Sequence, residues 1–522
     1  MDEVIGRVMT VGGSRMTVSL DGGGSNREKA VRVGSLVKAF DGERAVVAII
    51  SEEQAESTSR AENLLVVNLL GEIGSVGGGE LKFSRGVSIH PVPGAPVYVA
   101  NDADLRAVYG EAGESNVEIG TLYQDPNRPA LILTDELLTK HFAIVGSTGS
   151  GKSCALTVIL SSILEKNPKA HIVLLDPHNE YAGAFGELAD VISVENLQLP
   201  LWLFNFEEAA KVLIRGGSQG EQQSQELILS DAIAWARRNY TRRPRFGVPI
   251  TVDTPVPFRV HELLRFINEE MGRLTKPDNS IPYLRLKARI ELLRHDRRFE
   301  FLFSSEEDIL GEIIGRLLRV PVNDKPLTIV DLSGVPSEIA DVIVSTLSRI
   351  LFDFSVWCER DQLPPLLLVC EEAHRYVPSD ERLGFAQTVR IITQIAKEGR
   401  KYGIALALIT QRPSELSLAA LSQCGTVFAL RLGSDTDQHF VARTLPDVAR
   451  EMLSALPSLP TQQAIVSGEG VRVPMRIRFA DLPPQRRPHS EAAEFTKAWR
   501  AESADASFIE RGIQRWRTQN RT

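Results

Sequence analysis

From residue 1 to about 105, apolar and polar residues alternate in short runs rich in Val and Ile: Val4–Val11, Arg15–Leu20, 30–40, 45–51 and 87–99. Glycine-rich turns at Gly12-Gly13, Asp21-Gly22-Gly23-Gly24 and 77–79 break them. Several short strands at this spacing predict a small β-barrel or sandwich. A polar connector, about 106 to 135, contains Asp125-Pro126-Asn127-Arg128-Pro129. Beyond it the pattern becomes uninterrupted apolar runs at 141–145, 172–175, 327–330, 366–369 and 404–409, with 426–430 and 463–466 as late or edge strands. Helical patterns such as 152–167 and 338–359 lie between them. Buried strands alternating with helices predict a parallel sheet.

The stretch 200–320 is rich in helix formers and charge, as at 221–238 and 283–298, and reads as a helical insertion. The tail, from Pro483-Pro484, reads as mainly helical and amphipathic over 491–516. Its stripe of Phe508, Ile509, Ile513 and Trp516 either is a docking element or, the reading slightly favoured because apolar helical stripes are usually buried, folds back on the core. The fold class is α/β, with expected domains 1–105 (barrel), 106–199 with 321–485 (core), 200–320 (insertion) and 486–522 (tail).

Over 522 residues, 43% hydrophobic and 24% charged, the chain can bury a core of ordinary size. A net charge of −8 argues against a protein that coats nucleic acid over its whole surface, but leaves room for a local basic channel. One candidate cluster is Arg237, Arg238, Arg242, Arg243 and Arg245; another is Arg285, Lys287, Arg289, Arg294, Arg297 and Arg298. Each serves equally as a solvated helix face. The four cysteines, Cys154, Cys358, Cys370 and Cys424, show no CxxC or metal spacing and read as small hydrophobes in a reduced, cytoplasmic setting. The N-terminus does not look like a signal peptide, and no apolar run reaches the roughly 18 residues of a membrane span, so a soluble protein is expected.

The sharpest signal is Gly146-Ser147-Thr148-Gly149-Ser150-Gly151-Lys152-Ser153, which fits G-x-x-x-x-G-K-[ST] between an apolar strand and a helix. Glycines let backbone N–H groups turn toward phosphate, and the helix N-terminus adds positive potential. Lys152 is expected to reach the β- and γ-phosphates of ATP and Ser153 to ligate Mg²⁺; Cys154 completes the binding set. A second strand ends in Glu371-Glu372, where one carboxylate (Glu371) can hold the metal shell and the next (Glu372) polarise the attacking water. Asp176-Pro177-His178-Asn179-Glu180-Tyr181 ends another strand, making Asp176 and Glu180 candidates near the phosphates; Asp331 and Ser333 have a weaker claim. Gln411, after the run 404–409, can sense the γ-phosphate. Arg400 stands at the opposite end of that strand, either as a solvated helix-end arginine or as a finger reaching a neighbouring subunit's nucleotide.

These segments together resemble the HerA family of hexameric DNA-pumping ATPases, on GSTGSGKS, DPHNEY, IVDLSG, EEAHRYVP and EGRKYGIALALITQRPSEL in that order. The N-terminal strands look like the small barrel that family shares with rotary ATP synthases, with His90-Pro91 through Val97 resembling its closing segment. The resemblance implies a RecA-like P-loop core, a homohexamer, double-stranded DNA as track, and no membrane. It implies that Lys152 and Ser153 hold phosphate and Mg²⁺, that Glu371 and Glu372 are the carboxylate pair, that Gln411 is the sensor and that Arg400 acts in trans. It also implies a partner, a nuclease in DNA end processing or a nuclease, sirtuin-like or other effector in anti-phage defence, since nothing here resembles a nuclease site. Asn179 departs from the glycine common in the family, and Cys370 is unusual before the glutamates. A FtsK-like or conjugative pump would add a membrane segment or a DNA-reading C-terminal domain. A ring scaffold would bind ATP without pumping DNA.

Overall fold

A computed structural model describes residues 4–20, 32–41, 44–55, 63–76, 80–240, 249–275, 277–304, 307–359, 362–380, 382–488, 496, 499–500 and 506–518. The glycine turns at 21–24 and 77–79, the start of the run 30–40, Arg242, Arg243, Arg245 and much of the tail lie outside these residues. The chain divides into two units. The first comprises Met1–Lys169, Val369–His374 and Ala396–Arg487; the second comprises Ala170–Leu368, Arg375–Ile395 and Pro488–Thr522.

The first unit begins with β1 (Val4–Val11), β2 (Arg15–Leu20), β3 (Leu36–Asp41), β4 (Arg44–Ala55), β5 (Asn63–Val76), β6 (Glu80–Arg85) and β7 (Pro96–Val99). The order β2-β1-β7-β3-β4-β5 closes on itself through β2–β5 pairing, giving a six-stranded barrel with β6 appended to β5. Inward-facing Val8, Met16, Val18, Val46, Leu65 and Val97 fill it. β5 has no clean alternation because it is buried on both faces: Leu65, Val67 and Leu69 enter the barrel core, whereas Leu70 and Ile73 join a second cluster with Val108 of the helix Asp102–Tyr109. A buried ion pair, Lys38 Nζ to Asp104 Oδ2 at 2.7 Å, ties that helix to β3.

Two expectations are corrected here. The segment 87–99 is a strand only over β7. Its first part is a loop because Pro91 and Pro93 lack N–H donors, while the Glu72 carboxylate accepts the N–H groups of Ser88 and Ile89. The connector is not mere loop either. It contains β8 (Asn116–Leu122) and β9 (Pro129–Leu133), an antiparallel pair.

The remaining strands are β10 (Phe142–Val145), β11 (His171–Asp176), β12 (Ala189–Ile192), β13 (Leu327–Asp331), β14 (Leu366–Cys370), β15 (Ile404–Thr410), β16 (Thr426–Ala429), β17 (Gln463–Gly468) and β18 (Met475–Phe479). Within the first unit β10 lies between β15 and β16, parallel to both. β16, β17, β18, β8 and β9 then continue antiparallel. All four residues of β10 are fully buried, as a strand covered on both faces requires. In the second unit β12, β13 and β11 are parallel, with Asp176 and Asp331 in register at their ends. β14 begins in the second unit and ends in the first.

The second unit carries the helices Phe206–Leu213, Gln219–Tyr240, Val260–Gly272, Ile281–His295 and Leu310–Leu318. Glu208, fully buried on the first, accepts from Ser345 and Arg349 of the long helix Ser337–Trp357, which locks these elements together. Arg237, a candidate for a basic channel, is instead 1% exposed, with its guanidinium donating to the carbonyls of Trp202, Phe204 and Thr254. Burial lowers its pKa to about 10. The tail forms a helix at Ala506–Thr518, but Phe508, Ile509, Ile513 and Trp516 are exposed, contrary to the expected fold-back. No helix among the described residues is long and apolar enough to cross a membrane.

His141, just before β10, is buried with a left-handed φ of 57°. Its Nδ1 accepts from Leu406 N at 2.9 Å and its Nε2 lies 3.1 Å from Ala396 O, so the neutral ring pins β10 to β15. Burial lowers its pKa. The unfolded chain therefore takes up a proton first, and this contribution is full above about pH 6.5 and is lost as pH falls below it. His141→Ala, which strands two buried backbone groups, should cost roughly 2 kcal/mol or more at pH 7.5. That deficit should shrink at pH 5.5, as read by urea denaturation of both proteins.

Candidate nucleotide site

Val145, the last residue of β10, is level with Thr410 of β15 and Ala429 of β16. The loop that follows is fastened to both neighbours. Gly146 N donates to Thr410 O at 3.3 Å, and Ser147 donates to Arg431 O through its backbone N at 2.8 Å and its hydroxyl at 3.0 Å. Gly149 and Gly151 have φ of 73° and 100°, a region side chains rarely adopt. A Cβ on Gly146 would meet Ser150 Oγ at 2.6 Å and Leu430 Cβ at 2.8 Å. Gly151 then caps the helix Lys152–Lys166 without any side-chain hydrogen bond, and the first turn carries no acidic residue. A helix start with no acidic side chain presents positive potential to an anion. Lys152, 8% exposed, donates from Nζ to Ser147 O at 3.2 Å, and Ser150 Oγ is buried with no hydrogen-bond partner. Ser153 and Cys154 occupy the next positions of the first turn. A glycine cradle, an orphaned hydroxyl and a buried cation fit a phosphate chain.

Glu371 and Glu372 follow β14 directly and are 4% and 7% exposed. Glu372 has a φ of 50°, uncommon for a residue with a side chain and a mark of local strain. Its Oε2 accepts no hydrogen bond but lies 3.3 Å from His374 Nδ1. The same nitrogen is 3.1 Å from Thr410 Oγ1, which also accepts from Arg412 N at 3.0 Å. Thr410 therefore joins the loop, through its carbonyl, to the carboxylate side, through its hydroxyl. Gln411, the next residue, is 2.5 Å from Thr148 Oγ1 through Oε1. P-loop, Glu372 and Gln411 are thus brought together within one unit, while Arg400 is exposed at the other end of β15.

Asp176 belongs to the second unit. It is fully buried, and accepts from His178 N and Tyr181 N at 3.1 Å each. Burial raises its pKa to about 6, against those two hydrogen bonds, and the charges of Asp331 and Glu180 add to the rise. Asn179 has a φ of 55°, which explains why the residue in a glycine position is asparagine, the side chain best tolerated there. His374 and Thr410 were not singled out from the sequence. Their only signal was proximity to the paired glutamates and to Gln411, and spacing does not reveal that they meet.

A phosphate cradle on the central strand of a parallel sheet, with carboxylates beside it, defines a P-loop ATPase. Residues 117–351 match the family described as helicase HerA, central domain. The chain is 28% identical over 473 residues to the DNA double-strand break repair helicase HerA of Pyrococcus furiosus, spanning 83% of this chain and 80% of that one. It is also 28% identical over 394 residues to the protein of the same name from Sulfolobus acidocaldarius (74% and 73%). Among solved structures, VirB4 of Thermoanaerobacter pseudethanolicus superposes with a TM-score of 0.50 at 16% identity, over 72% of this chain and 98% of that one, showing a shared RecA-like fold. The chain is thus similar to HerA helicases over most of its length, and residues 117–351 match their central domain.

Gly146→Ala should weaken nucleotide binding at least about tenfold in calorimetry, because the added carbon displaces the loop. Asp176 gives a pH effect of opposite sign to His141. Its folded pKa lies above the unfolded 3.8, so the charged form costs stability at pH 7, and the cost is relieved as pH falls from about 6. Asp176→Asn should be more stable than the parent at pH 7.5, with the gap narrowing toward pH 4.5 in denaturant titrations.

Proposed function

We propose that the chain is an ATP-driven motor that translocates on double-stranded DNA as a homohexamer. The observation that carries this reading is the meeting, at Thr410, of a phosphate cradle with a buried, strained carboxylate. A pure binding module has no need of a buried, strained Glu372 whose Oε2 accepts no hydrogen bond beside its phosphate cradle. A base that must accept a proton from water does.

In this reading the loop N–H groups and Lys152 bind the β- and γ-phosphates, and Ser153 and Glu371 hold Mg²⁺. The ion, when bound, neutralises charge on the phosphates. Glu372 orients the attacking water and takes its proton. Gln411 follows the γ-phosphate. Arg400 serves the neighbouring subunit's nucleotide. The family names of the relatives support DNA as the track. The chain's own motifs supply no nucleolytic chemistry, so a nuclease, or a sirtuin-like or other effector, completes the machine; DNA end processing is favoured over anti-phage defence because the relatives are named repair helicases.

Wild-type protein should hydrolyse ATP faster with linear duplex DNA than without it. Glu372→Ala should lose at least about 100-fold in kcat while still binding ATP. Arg400→Ala should lose hydrolysis yet bind ATP and form the ring by mass photometry, and wild-type turnover in that variant would reject the trans role. Absence of turnover under any condition would sink the motor. Turnover indifferent to DNA, with no duplex movement, would favour a ring scaffold for an effector instead.

A further inference from the structure

His374 is not among the residues that the nucleotide-site motifs define, yet it is the side chain through which the carboxylate reaches the rest of the site. Its Nδ1 is 3.3 Å from Glu372 Oε2 and 3.1 Å from Thr410 Oγ1. A single ring nitrogen carries at most one proton, so it bonds fully to one of these oxygens at a time. Thr410 Oγ1 already accepts from Arg412 N on one lone pair, leaving the other to accept from Nδ1–H. Two arrangements follow. In one, Nδ1–H donates to the second lone pair of Thr410 Oγ1 and Glu372 is released; in the other, the same Nδ1–H turns to Glu372 Oε2, with no proton moved between the ring nitrogens. Thr410 is fully buried and is followed directly by Gln411, which touches Thr148 of the P-loop. A displacement of Gln411 is therefore transmitted through one peptide to the His374–Glu372 contact.

We propose that His374 is a positioning residue that couples the γ-phosphate sensor at Gln411 to the orientation of Glu372, so that water is activated only when the sensor strand is engaged. This rests on the ATPase reading of the site and deepens it. The link is local, because the strained backbone of Glu372 (φ 50°) and the fully buried end of β15 leave little other freedom for either partner.

The test uses the full-length protein, with steady-state ATPase, ATP affinity by calorimetry and thermal melting. His374→Ala and Thr410→Val should each lower kcat about 10- to 100-fold, with ATP affinity within about twofold of wild type. The double variant should be no worse than the poorer single one, since both cut the same link. His374→Asn, whose amide nitrogen reaches nearly the same point as Nδ1, should recover most of the lost turnover. Wild-type kcat in His374→Ala, strictly additive losses in the double variant, or a loss confined to ATP affinity would each overturn the coupling while leaving the ATPase intact. Should His374→Ala not fold, Thr410→Val with His374→Asn decides on the same readouts. A wild-type protein without turnover would overturn both this proposal and the motor reading.

Discussion

The parallel register of three strands is the constraint on which the site depends. Val145, Thr410 and Ala429 end at one level, so the residues that follow them emerge side by side. Hydrogen bonds then run sideways, from Gly146 to Thr410 and from Ser147 to Arg431. A shift of one residue in either pairing would turn the side chains of that strand to the opposite face and carry Thr410 or Arg431 away from the loop. The fully buried side chains of β10 hold the register, because sliding would expose or overpack groups each worth roughly 1.5–3 kcal/mol of burial. His141 adds a polar pin at the entry to the same strand. Phosphate cradle and register are therefore one feature, and the glycines only permit what the strands impose.

The site also concentrates groups that folding alone would avoid. Glu371 and Glu372 are buried carboxylates, Lys152 is a buried ammonium, and Ser150 Oγ has no partner. Glu372 adds backbone strain. Such groups are costly unless paired with chemistry. Elsewhere in the fold, buried Glu208 meets Arg349 and Ser345, and buried Arg237 donates to three carbonyls.

The P-loop was legible because its chemistry is local: six backbone positions, a lysine and a hydroxyl in fixed spacing. Strands β1 and β2 were legible for the same reason, since one face of each is polar. β5 is not visible in the pattern, because burial on both faces erases alternation, and β8 and β9 read as a connector, because turn residues between them dominate the composition. The 87–95 loop was read as strand from its apolar residues, whereas backbone donors there are taken by Glu72, a partner distant in sequence. The tail's apolar stripe was expected to be buried, and its exposure could not be read from periodicity, which reports amphipathicity but not what covers it. His374 and Thr410 belong to this last kind: their meeting exists only once β14 and β15 are both in place.

The position of Arg400 fits the proposed ring. β15 has seven residues, so its two ends lie about 20 Å apart at about 3.3 Å per residue. Gln411 stands at the nucleotide end and Arg400 at the other, exposed, on the turn Gly399–Tyr402. An arginine side chain spans far less than that distance, so Arg400 does not serve the P-loop of its own chain. A free surface arginine there would be unremarkable. Under the motor reading it gains a use only if a second copy brings its nucleotide to that end of the strand, with β15 as the rigid rod between one subunit's sensor and the next subunit's finger. In the proposed ring, a rod of fixed length with Gln411 at one end and Arg400 at the other would make hydrolysis in one subunit depend on occupancy in its neighbour, a dependence that a closed ring would extend to every site.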